Sequence, residues 1–178
     1  MTLRILERLQ QFQEHLFELG VARGVLSLPA PRMLSLPSPT AEAAEPANLF
    51  THLITEAEIV QVSRDLFVSA HYSLAVQEAY KAVEKFITEK TGKHGSGTSL
   101  MELVFSTGEP KLYWSERKSQ SQKDEQSGYL RLYAGAMLGI RNPVTHEFNW
   151  VDDPELALEL VAFAQHLLRK ARAALVSK

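Results

Sequence analysis

DEQSGYLRLYAGAMLGIRNPVTHE, residues 124–147, reads as an apolar helix that stops abruptly and leaves an arginine and a histidine just past its end. Apolar residues recur at helical spacing through Tyr129 or Leu130, Tyr133, Met137 and Ile140, and Leu132, Ala134, Ala136 and Leu138 thicken the stripe. Gly135 and Gly139 lie four apart on one face, where each costs about 1 kcal/mol against alanine, so close approach of a second helix is expected there. Pro143 biases Asn142 away from helical backbone, which predicts an end near Arg141 with carbonyls left in need of donors. Arg141 could serve them, and that is its simplest role.

A chemical role is also open. Five steps along one helix would turn Arg141 and His146 about 140° apart, whereas a turn at Asn142-Pro143 frees guanidinium and imidazole to face one cleft or one dimer seam. RNA cleavage needs a base for the 2′-hydroxyl proton, an acid for the leaving oxygen and positive charge on the phosphorane. Histidine titrates near neutrality and arginine grips phosphate oxygens in pairs, so the two suit that task without a metal.

Outward from this corner, 178 residues suffice for one domain with an appendage, and a hydrophobic share of 45% suffices for a core. A net charge of -2 argues against coating nucleic acid by bulk charge, though not against a local positive cleft. With no cysteine there are no disulfides or thiolate metal sites, which suits a reducing cytoplasm. No His/Asp/Glu cluster has metal-ligand spacing, the glycines of GKHGSG (92–97) are out of order for a phosphate loop, and no cofactor is expected. The opening MTLRILERLQQ carries charges where a signal peptide needs an apolar run, and no stretch approaches the ~20 apolar residues of a membrane span, so a cytoplasmic, membrane-free chain is expected.

The organisation predicted is an amphipathic helix within 1–20, a proline-rich linker over 21–52 and a helical domain over 53–178. Ile5, Leu9, Phe12, Leu16 and Leu19 form a short seam that must dock on the domain, a second copy or another protein. Five of the eight prolines, Pro29, Pro31, Pro37, Pro39 and Pro46, then forbid regular structure. Within the domain, Thr55 and Glu58 have capping-box spacing before a helix to about Phe67, and a longer helix runs from about Ser69 to Thr91 with Gly92 as its stop. Ser99 and Glu102 cap another short helix, and Asp153-Pro154 open the last, with Leu156, Leu160, Phe163 and Leu167 as its buried stripe.

Glu78, Lys81, Glu84 and Lys85 read as solvated ion pairs, with Glu78 or Lys81 also candidates to support the Arg141 corner or contact substrate. The polar run after Gly108 mixes Trp114 and Lys118 with other basic and aromatic residues. It could stack bases and hold phosphates, or be a surface loop anchored by Trp114. Sustained strand alternation is absent, so the expected fold is an all-α bundle of about four or five helices.

The string RNPVTHE resembles the arginine, polar residue, spacer, histidine signature of the HEPN superfamily, helical domains that often act as metal-independent ribonucleases. LFVSAHYSLAVQEAYKAVEKFI, GTSLMELVFS, EQSGYLRLYAGAMLGIRNPVTHE and DPELALELVAFAQHLLRKA, in that order between about Leu53 and Arg172, are similar to its Ymh-type branch. One departure is Ser69-Ala70, where that pattern has a glycine. The resemblance implies a HEPN-like fold and a homodimer with a composite site of Arg141, Asn142 and His146. It also implies RNA as substrate, a prokaryotic defence or toxin-antitoxin setting, and an antitoxin or defence partner reached through the N-terminal helix. The competing expectation is a non-catalytic dimeric scaffold of a defence complex.

Overall fold

The structure, a computed structural model, describes residues 45–177 and positions 11, 12, 14, 15 and 18. Those five positions are helical; the rest of the helix read over 3–19, and the linker up to residue 44, lie outside the described residues. The chain divides into a unit Met1–Ser38 and a unit Pro39–Lys178.

Among its described residues the second unit is all-α apart from one two-residue ladder. Helices α1 (Pro46–Leu53), α2 (Ala57–Val68), α3 (Tyr72–Thr91) and α4 (Gly97–Phe105) precede strand β1 (Leu112–Tyr113). Then come α5 (Gln120–Ala136), a π-helical segment (Met137–Arg141), α6 (Asn142–His146), α7 (Pro154–Ala173) and strand β2 (Leu175–Val176), which pairs antiparallel with β1. Residues 46–52, expected in the linker, are therefore helical: Pro46 sits in the first turn of α1, where its missing N–H costs nothing.

Helix α3 is the central element, packed against α2 and α7 and touching the π segment and α6. It buries Ala75, Val76, Ala79, Tyr80, Val83 and Ile87, of which Val76, Val83 and Ile87 each contribute roughly 1.5–3 kcal/mol by leaving water. A second centre is aromatic: Phe105 stacks on Tyr133 at 4.1 Å between ring centroids and on Trp114 at 5.4 Å. Helix α7 buries Ala157, Val161, Ala164, Leu168 and Ala171 as well as Leu167, while Leu156 is exposed. The buried stripe is thus rotated about one position from the one that the large residues suggest, because alanines let α7 approach α3 closely and the periodicity of large residues alone does not show it.

Helix ends follow the expectation only in part. Gly92 closes α3 with φ of 63°, and Asp153 caps α7 by accepting from the N–H groups of Glu155 and Leu156. Ala70 has φ of 58°, a left-handed backbone that favours glycine. Neither capping box expected at Thr55 or Ser99 forms. Thr55 instead receives an Arg169 N–H at 2.5 Å, and Gln165 of α7 secures the turn before α2 by accepting from the N–H of Thr55 (2.6 Å) and Glu56 (3.0 Å). The capping box that does form is Ser119 with Gln122, at the start of α5.

Candidate functional site

Residues 137–146 do not break where proline predicts a break. Asn142 keeps helical angles (φ -66°, ψ -49°), so Arg141 and His146 lie along one continuous helical run rather than across a turn. A proline ring inside a regular helix collides with the carbonyl four residues back. Here the ladder widens first: Asn142 donates to the carbonyl of Met137, five residues back, and Pro143 falls in the first turn of α6. Single wide turns of this kind concentrate at functional sites.

The wide turn leaves Arg141 and His146 in different surroundings. The Arg141 side chain is 20% exposed, and its Nη2 lies 3.5 Å from Oε2 of Glu84 on α3. Its Nη1 donates to the Asn142 Oδ1 at 3.3 Å, and its Nε is buried with no hydrogen-bond acceptor among the described residues. One turn on, the Thr145 hydroxyl donates to the Arg141 carbonyl at 2.7 Å and accepts from Nε2 of buried Gln77 at 3.1 Å. Gln77 and Glu84 are seven residues apart on α3 and so share one face, the face that meets 141 and 145. His146 ends α6 exposed, with no hydrogen bond or ion pair to a described residue.

Glu84, expected to be one of several solvated charges, is buried and also accepts a short hydrogen bond from the Gly97 N–H at the start of α4. Sequence offers little warning of this, since Glu84 and Lys85 are adjacent and of opposite charge while only one faces inward.

The other candidates stand apart. Glu78 and Lys81 pair with each other at 2.7 Å and line the groove between α2 and α3 with Glu58, Gln61 and Lys85. Trp114 packs against Phe105 and Tyr129, donates from Nε1 to the Lys170 carbonyl at 2.8 Å, and carries the Lys170 ammonium 4.9 Å from its ring. It is the anchor of its loop. Lys118 is exposed and pairs with Glu116.

Around the Arg141 run, the close helix contact expected at Gly135 and Gly139 is not made by any described residue. Both are exposed, and an added Cβ at either would meet nothing within 4 Å. Beside them Leu138 is 62% exposed, and just past His146 stand Phe148, 96% exposed, and Trp150, 54% exposed. Val151 holds the end of this turn, its backbone N–H donating to the Ser73 hydroxyl at 2.8 Å and its carbonyl accepting from it at 3.1 Å. Arg131, Glu147, Asp152 and Asp153 are exposed as well.

A protein-family model described as "Protein of unknown function (Hypoth_ymh)" matches residues 54–171, well over half of the chain. No curated protein and no solved structure matches. Among the described residues, no group of three or more histidine or acidic side chains could hold a metal ion, and no helix is long and apolar enough to cross a membrane.

Proposed function

We propose that this chain, which belongs to the Hypoth_ymh family, is a HEPN-type endoribonuclease that cuts RNA without a metal as a homodimer. The observation that carries the reading is the π segment. It keeps a partly buried, anchored arginine and an exposed histidine on one helical run, beside exposed apolar residues. The two lie about 140° apart around its axis, so a single copy does not aim both at one cleft and the composite site draws them from two copies.

In the proposed reaction, the RNA 2′-oxygen attacks the adjacent phosphorus, so a P–O2′ bond forms and the P–O5′ bond breaks. His146 takes the 2′-hydroxyl proton or returns one to the departing 5′-oxygen, and Arg141 holds the phosphorane oxygens. Asn142, bonded to Arg141, keeps the guanidinium turned toward substrate. The products carry a 2′,3′-cyclic phosphate and a 5′-hydroxyl. One histidine does not readily serve as both base and acid, so a second copy supplies the other.

The exposed apolar residues Leu138, Phe148 and Trp150 suit that second copy, and exposed Arg131, Glu147, Asp152 and Asp153 offer charges of opposite sign to pair across a twofold axis. The glycines let the two backbones approach. A prokaryotic defence or toxin-antitoxin setting in the cytoplasm fits such an activity, with an antitoxin or defence partner as its restraint.

A second reading is favoured by the Arg141–Glu84 pair, which commits the cation to the fold: a non-catalytic dimeric scaffold of a defence complex. Incubating the purified chain with mixed RNA in EDTA separates the two. The nuclease reading expects cyclic-phosphate ends from the wild type and at least about a 100-fold loss in His146→Ala at unchanged melting temperature and mass. Equal cleavage by both proteins, or none by a wild-type dimer that binds RNA, rejects it.

A further inference from the structure

We infer that Glu84 is the positioning residue of this site: its carboxylate, shared between the α4 N-terminus and Arg141, fixes the guanidinium that receives the phosphate. The inference rests on the nuclease reading and assigns a part to a buried acid that the cleavage chemistry itself leaves unused.

Glu84 is only 7% exposed. A carboxylate taken that far from water persists when other groups supply its hydrogen bonds and countercharge. The two oxygens divide that work. Oε1 accepts the Gly97 N–H, which Gly97, with φ of 62°, presents at the first residue of α4. Oε2 faces the Arg141 Nη2 at 3.5 Å. One side chain on α3 therefore ties together the start of α4 and the end of the π segment.

The consequence for Arg141 is orientation. Its Nη2 is held by Glu84, its Nη1 by Asn142, and its Nε is buried without an acceptor among the described residues, so the guanidinium plane is set before any ligand arrives. An arginine that need not be immobilised on binding retains more of its interaction for the transition state. The GKHGSG turn (92–97), otherwise a plain connection, thereby becomes part of the site's support.

Two roles of Glu84 are separable because they use different chemistry. Receiving the Gly97 N–H needs only an acceptor, which the amide oxygen of glutamine also provides. Holding Arg141 needs the negative charge, which glutamine lacks. Glu84→Gln should therefore keep the fold and lose the positioning.

The test measures cleavage kinetics, and affinity for a 2′-O-methyl RNA that cannot be cut, in the full chain and in Glu84→Gln, Arg141→Ala and the double variant. Expected for Glu84→Gln is a kcat about 10- to 100-fold lower with KM within about threefold. The same variant should speed solvent exchange of the Arg141 Nε proton, followed by NMR. In the Arg141→Ala background, Glu84→Gln should change RNA affinity no further, since it acts through that arginine. Should Glu84→Gln not fold, Glu84→Asp, which keeps the charge and withdraws it by one methylene, is expected to show the same loss of kcat.

Wild-type cleavage matched by Glu84→Gln overturns the inference and leaves the nuclease reading standing. So does a further loss of affinity in the double variant. A wild-type chain that neither cuts nor binds RNA removes the nuclease reading, and the inference with it.

Discussion

Two arginine–glutamate contacts in this domain invite comparison. Arg172 on α7 reaches Glu56 at 3.0 Å and both oxygens of Glu58 at 2.8 and 3.0 Å, and Arg169 adds a second cation on Glu56 at 2.7 Å. Both arginines and Glu58 are about half exposed, Glu56 only 18%, and the network's hydrogen-bonding capacity is well used. Arg141 and Glu84 are mostly buried, stand 3.5 Å apart, and leave an arginine nitrogen without an acceptor among the described residues. Short distances thus accompany low worth, because water screens the first set, while the looser pair is the one the fold would feel losing. A buried donor with no acceptor among the described residues is what the proposed phosphate-holding role of Arg141 would use.

The largest effect is expected where that contrast is sharpest. Arg141→Ala leaves Glu84 buried with the Gly97 N–H but no countercharge, so it should cost about 3–5 kcal/mol in denaturant unfolding. His146→Ala, five residues along the same run, removes an exposed side chain and should stay within about 0.5 kcal/mol. Similar midpoints for the two variants would break the comparison, because Arg141 would then be as dispensable to folding as a surface residue.

Next in size is the exposed apolar face beside the pair. Leu138→Glu puts a charge on the surface assigned to the second copy, and should weaken self-association at least about 100-fold, or about 2.7 kcal/mol. Sedimentation of both proteins over a concentration series reads this directly. A wild type that stays monomeric throughout the series, or a Leu138→Glu variant that associates as tightly, removes the twofold arrangement.

The same contrast explains what the sequence made readable. Helices α2, α3 and α7 follow from apolar spacing, and their punctuation at Gly92 and Asp153 is local, so neighbouring residues suffice to find it. Ser119-x-x-Gln122 is equally local and offers a start for α5 that the apolar pattern alone does not suggest. What stays hidden depends on residues far apart in the chain. Gln165 secures the turn before α2 across 110 positions, and Glu84 serves α4 from another helix. At Pro143 the local rule points the wrong way, because a wide turn upstream relieves the clash that ends ordinary helices. Arg141, Asn142 and His146 are legible as a pattern; the buried acid behind them is not.

The smallest effect belongs to the Arg172 network, and its sign with pH tests whether it is the screened kind. Glu58 is held below its usual value by a backbone hydrogen bond and by the Arg172 guanidinium. A carboxylate depressed on folding stabilises above its unfolded pKa, and the contribution fades as pH falls through the folded one. Arg172→Ala should therefore cost well under about 1 kcal/mol at neutral pH, and less still in 1 M salt, where the screening length falls to about 3 Å. Below the ordinary carboxylate range the difference from wild type should narrow, because protonated Glu58 no longer holds the cation. Thermal melts of both proteins across pH 3–7 at low and high salt carry the test. A cost of several kcal/mol that salt leaves untouched would place Arg172 with Arg141 instead, as a charge the fold cannot leave unpaired.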